Sequence, residues 1–105
     1  MLLYSVNVTY SPWTYRQHGS IYSTMTRTLT EAVAITLTTA RKNANLSQEE
    51  LAHRSGLDRT YISGIERGVR NITLNSLERV VNGLGVEMSV FLLGMINDLT
   101  IQDTK

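Results

Sequence analysis

Between Leu46 and Arg70 the chain carries two short amphipathic segments separated by a glycine, and this spacing leaves few folds open. Ser47-Gln48-Glu49-Glu50 is a capping box, with Leu46 before the cap and Leu51 at the matching position inside, so a helix starts here. It has room for about two turns, buries Leu51 and Ala52, and stops at Ser55-Gly56, where Gly56 can take the positive φ of a tight turn. Leu57 turns back toward the core. Asp58 is expected to cap the next helix by accepting from the amides of Thr60 or Tyr61. At about 100° per residue, Ile62 and Ile65 define the buried side of that helix. Thr60, Ser63, Gly64 and Arg67 then fall opposite, with Arg59 and Tyr61 on the flanks and Gly68 closing the end.

The remaining chain supplies a body for this pair. With 105 residues and 42 % hydrophobic content there is enough for one modest core. Thr28-Leu29-Thr30-Glu31 fits a second capping box, and Val33, Ala34, Leu37 and Ala40 give a narrow apolar stripe, predicting a helix over Leu29 to Asn43. Thr36, Thr38 and Thr39 weaken its propensity, so packing must hold it. Thr73 is expected to cap a helix through Leu84, with Leu74, Leu77, Val80, Val81 and Leu84 as its stripe. A fifth helix over Met88 to Leu99 carries more apolar surface than a body of this size buries, which marks an interface. The fold class is therefore all-α, with a 28–99 domain, an N-terminal arm over 1–27 and a tail over 100–105. In the arm, Tyr4, Val6, Val8 and Tyr10 alternate with polar residues like a half-buried strand, and Ile21 to Met25 offers a second such piece. A lone hairpin is marginal in water, so the arm is either disordered or packed on something else. The start at Met1 and an alternative start at Met25 both fit the sequence.

Catalysis and metal binding find no support. There is no cysteine, and His18 and His53 stand far apart without ligand spacing, so no metal or cofactor is expected. Glu49 and Glu50 are first-turn partners of a helix dipole, and Gly64 and Gly68 make no phosphate loop because no strand precedes them. No apolar run approaches the roughly 18 to 20 residues of a membrane span, and no signal peptide pattern opens the chain, so a cytoplasmic protein is expected. The net charge of +1 points to a polyanion only if the positive charge is gathered on one face. A plain helical bundle would explain the two short helices with a solvated face, but such a face would carry Glu and Lys. Here it is small at its centre with Arg around it, the outline of a DNA-binding helix-turn-helix.

These residues also carry a resemblance. Arg41, Leu46-Ser47-Gln48-Glu49-Glu50-Leu51-Ala52, Gly56, Tyr61-Ile62-Ser63, Ile65-Glu66-Arg67-Gly68, Leu77 and Leu84-Gly85-Val86 resemble the Xre (Cro/C1, phage-repressor-like) helix-turn-helix family over about Leu37 to Leu93. Asp58 through Arg67, with Arg70-Asn71 and Ser76-Leu77, is similar to the controller proteins of restriction-modification systems. The resemblance implies a compact five-helix, lambda-repressor-like domain from a bacterium or phage. It implies a homodimer on a near-palindromic double-stranded operator that controls its own gene and a restriction endonuclease gene. It further implies an internal ion pair between Arg41 and Glu66.

The expected site has three layers. Arg59 and Thr60 read base edges, Arg59 preferring guanine. Ser47, Gln48, Tyr61, Ser63, Arg67, Arg70, Asn71, Thr73 and Ser76 hold the DNA backbone, with the second helix's N-terminus as an anion site. Phe91, Leu92, Met95 and Ile96 pair two subunits about one DNA turn apart. So few base-reading side chains imply that DNA bending adds specificity. The competing reading is a protein-interaction module of antitoxin or phage type, whose main partner is another protein. No small-molecule effector is evident.

Overall fold

The structure, a computed structural model, describes residues 27–100. The strand-like arm, the alternative start at Met25 and the tail beyond Thr100 lie outside the described residues. Those described form five helices: α1 (Leu29–Asn43), α2 (Gln48–Ser55), α3 (Arg59–Glu66), α4 (Leu74–Leu84) and α5 (Met88–Leu99). Hydroxyl groups start three of them. Thr28 Oγ1 accepts from the Glu31 amide at 3.1 Å while Glu31 returns a carboxylate oxygen to the Thr28 amide at 3.0 Å, and Ser47 and Glu50 repeat the exchange at 2.9 and 2.8 Å. Thr73 accepts from the Ser76 amide at 3.0 Å.

The start of α3 differs from expectation, because Asp58 makes no side-chain cap hydrogen bond. Its backbone carbonyl accepts from both Tyr61 and Ile62 at 3.1 Å, so of the two amides its side chain was expected to serve, that of Tyr61 is already taken by the main chain. The turn before it is closed by Gly56 at φ 69°, a conformation that costs a residue with a Cβ.

Each helix turns one face inward. Leu37, Leu51, Ile62, Ile65, Val80 and Val81 are the fully buried centre of the core. Leu74, expected in the α4 stripe, instead stands 82 % exposed, because as the first residue of α4 it precedes the part that crosses the body. Further along, Gly83 lets α4 run against α2: a Cβ there would lie 2.7 Å from Ser55 Oγ and 3.3 Å from Leu51 Cδ1. Phe91 and Met95 also depart from the expected subunit interface. They are 2 % and 9 % exposed and belong to the core of the protomer. With half-buried Met88 they form an i, i+3, i+7 row facing inward, which leaves Val90, Leu92, Leu93 and Ile96 on the outer side. No single helix among the described residues is long and apolar enough to cross a membrane.

Candidate nucleic-acid interface

The outer surface of α3 is set by what braces its inner one. Arg41 on α1 reaches across to Glu66 at the end of α3, Nε to Oε2 at 2.6 Å and Nη2 to Oε1 at 3.0 Å, a two-pronged pair whose side chains are 11 % and 6 % exposed. The third arm of the same guanidinium, Nη1, donates to the Leu46 carbonyl at 2.7 Å. Gln48, expected at a phosphate, turns its Nε2 inward to Glu66 Oε1 at 2.9 Å. One carboxylate and one guanidinium thus hold α1, the entry to α2 and the end of α3 together. The hydrogen-bonded Glu66 carboxylate pushes the Arg41 pKa further up, against the opposing pull of burial. A pair this enclosed is tolerable because its donors and lone pairs are used, and no buried side-chain nitrogen or oxygen among the described residues lacks a partner.

Outward from this brace, Arg59, Thr60 and Arg67 are exposed and Ser63 is half-buried. Gly64 does not join them. It is buried beneath Arg70, whose Cγ would lie 2.6 Å from a Cβ at that position, because the chain folds back over α3 after Gly68. Arg70 also stacks over Tyr61, with its guanidinium carbon 5.5 Å from the ring centre. Tyr61 Oη in turn accepts from the Thr73 amide at 3.3 Å, and Asn71 Oδ1 accepts from Thr30 Oγ1 at 3.1 Å. The loop from α3 to α4 is therefore tied to both α3 and α1. Ser47 and Thr73 stand exposed at the starts of α2 and α4, and Ser76 lies half-buried in the first turn of α4.

The geometry sorts the expected residues into groups. Arg59, Thr60, Ser63 and Arg67 share the outer surface of α3. Tyr61, Arg70, Asn71 and Thr73 gather at its flank, and Ser47 with the first amides of α2 forms a third cluster. Gln48's role in the brace was missed, since a contact 18 residues apart in sequence leaves no local periodic trace. His53 is exposed, and the described residues contain no cluster able to hold a metal ion.

A helix-turn-helix family model matches residues 37–91, from the middle of α1 through the first buried residue of α5. The chain belongs to the helix-turn-helix family of Xre and Cro/C1 type. Among its helix-turn-helix relatives, control protein C.BamHI of Bacillus amyloliquefaciens is 52 % identical over 44 residues, which cover 42 % of this chain and 54 % of that protein. Control protein C.MunI of Mycoplasma sp is 47 % identical over 49 residues, 47 % of this chain and 66 % of that protein. The chain thus matches about half to two thirds of the length of these curated relatives. The crystal structure of the restriction-modification controller protein C.Esp1396I superposes with a TM-score of 0.66 at 43 % identity, covering 69 % of this chain and 95 % of that one. That protein has been solved as a tetramer on its natural 35 base-pair operator. It has also been solved as variants replacing an arginine, a threonine or a tyrosine at three successive positions. Arg-Thr-Tyr occurs once in this helix-turn-helix protein, at residues 59–61.

Proposed function

We propose that this protein is a sequence-specific DNA-binding transcriptional regulator that acts as a homodimer on a near-palindromic operator and controls its own gene together with a restriction endonuclease gene. The observation that carries this reading is the outer surface of α3, where Arg59, Thr60 and Arg67 stand exposed on a helix braced from behind. Supporting it, C.Esp1396I is solved on operator DNA, and its altered arginine, threonine and tyrosine correspond in kind and order to Arg59, Thr60 and Tyr61.

In this reading α3 lies in the major groove. Arg59 donates two hydrogen bonds to a guanine edge and Thr60 meets a thymine methyl or a neighbouring base edge. Ser47 and the free amides opening α2, with Arg67, Tyr61, Ser63, Asn71, Thr73 and Ser76, hold phosphates and set the register. Arg70, stacked on Tyr61 at the flank, reaches the backbone or the adjacent minor groove. Gln48 contributes its backbone amide, its side chain being committed to Glu66. The subunits meet through Leu92 and Ile96 joined by Val90 and Leu93, and not through the core residues Phe91 and Met95.

Binding sites selected from random duplex DNA, followed by titrations of selected and scrambled duplexes at increasing salt, test the reading. The selected site is expected to be two-fold symmetric. Its affinity should fall steeply with salt, the logarithm of the constant dropping by about 0.9 per phosphate neutralised for each decade of salt. Equal binding to selected and scrambled DNA, or affinity indifferent to salt, would overturn it.

A further inference from the structure

Three contacts converge on the last turn of α5. Thr36, on α1 and 7 % exposed, donates from Oγ1 to Asp98 Oδ2 at 2.7 Å. Arg27, just before the Thr28 cap, donates its backbone N–H to the Leu99 carbonyl at 2.6 Å and its Nη1 to the Asp98 carbonyl at 2.8 Å. One turn back from Asp98, a Cβ on Gly94 would sit 3.2 Å from the Thr36 methyl, so the α5 backbone passes directly over that side chain. The methyl of Thr36 therefore touches α5 at Gly94 while its hydroxyl holds α5 at Asp98.

Directional polar contacts add to packing at this end of the helix. The last carbonyls of a helix have no partner within it, and Arg27 supplies donors and a cation there. A carboxylate in the last turn faces the negative end of the helix dipole, so Asp98 gains from the Thr36 donor what the dipole denies it. Alongside, an open groove of about 460 Å³ runs where α1 and α5 meet, with Thr36, Val90, Phe91 and Gly94 among its lining. Apolar contact is non-directional and tolerates tilting, whereas a hydrogen bond of 2.7 Å fixes both distance and direction.

We propose that Thr36, Asp98 and Arg27 form a latch that sets the tilt of α5 on the body, and through it the distance between the two α3 helices of a dimer. Thr36 and Asp98 are positioning residues for operator spacing. The proposal rests on the dimeric reading above, in which Val90, Leu93 and Ile96, 57 %, 57 % and 60 % exposed, meet their counterparts. A tilt of about 10° moves the far end of a helix about 18 Å long by about 3 Å, close to the rise of one base pair. A small change at the latch is thus enough to shift the preferred spacing.

The test uses the full chain and duplexes carrying two copies of the selected half-site, spaced one base pair apart in steps, with a single half-site duplex as reference. The unsubstituted protein is expected to prefer one spacing. Thr36→Val should flatten that preference by about tenfold, the usual scale for losing a hydrogen bond to a charged group, with binding to the single half-site unchanged. Thr36→Ser, which keeps the hydroxyl, should restore the preference. Arg27→Ala, which alters no core side chain, should act in the same direction less strongly, and it decides the matter if Thr36→Val fails to fold. Unchanged spacing profiles in both variants, or a uniform loss that includes the single half-site, overturns the latch. An unsubstituted protein that is monomeric or indifferent to spacing overturns the dimeric reading itself, and that failure appears before any substitution is made.

Discussion

Helices α3 and α5 are both one-sided, yet their outer surfaces are opposites. The exposed side of α3 carries Arg59, Thr60 and Arg67, while that of α5 carries Val90, Leu92, Leu93 and Ile96. Both inner sides are apolar, Ile62 and Ile65 on α3 and Phe91 and Met95 on α5, but α3 alone adds a charged pair at Glu66 to its packing. A polar outer surface on a rigidly tied helix suits a polyanion that must be met in one register. An apolar outer surface suits a second copy of itself, which removes the same side chains from water. The contrast teaches that the two surfaces are separable, and substitutions can pull apart the two roles proposed for them.

The largest effect is expected behind α3. Glu66→Ala strands the Arg41 guanidinium in a nearly closed site and should lower folding stability by about 3 to 5 kcal/mol, read from urea denaturation midpoints. A loss below about 1 kcal/mol would mean that the pair behaves as a solvated one. Of similar size, Phe91→Ala should cost about 3 to 5 kcal/mol through the cavity it leaves. Its neighbour Ile96→Ala should leave monomer stability within about 0.5 kcal/mol while weakening self-association in sedimentation experiments. Equal effects of the two would erase the distinction between the inner and outer sides of α5.

Arg59→Ala comes next. It should reduce discrimination at one base pair per half-site by about 1 to 3 kcal/mol in competition titrations and leave self-association intact. Thr73→Ala, which removes the α4 cap beside the α3 flank, should cost about 1 kcal/mol of stability. The smallest effect concerns acid. The Ser47 amide hydrogen bond holds the Glu50 carboxyl below its usual range, so this cap contributes above the unfolded-state pKa and is lost as pH falls through the lower folded-state value. Denaturation across that window should show a shallower acid dependence in Glu50→Gln than in the unsubstituted protein.

Much of the fold was legible because local chemistry declares it. Thr28, Ser47 and Thr73 each precede a helix by one residue and bond as caps, and the stripes ending at Ala40 and Leu84 face the core except at Leu74. What escaped was decided between elements. The Tyr61 amide bonded the Asp58 carbonyl and not its side chain, and Gly64 was covered by an arginine arriving from the following loop. Gln48 was drawn inward by a carboxylate on another helix. On α5 the surplus of apolar residues did leave some exposed, but which of them the body claims first depends on where α1 and α4 lie, and periodicity alone does not rank Phe91 above Ile96.

The brace of Arg41, Glu66, Gln48 and the Leu46 carbonyl has one more consequence. It lies wholly behind α3 and uses none of the side chains that face outward. Residues 59 and 60 can therefore be exchanged without disturbing the frame that presents them, so, on the proposed reading, a lineage built on this chassis is free to rewrite its address while inheriting the reader unchanged.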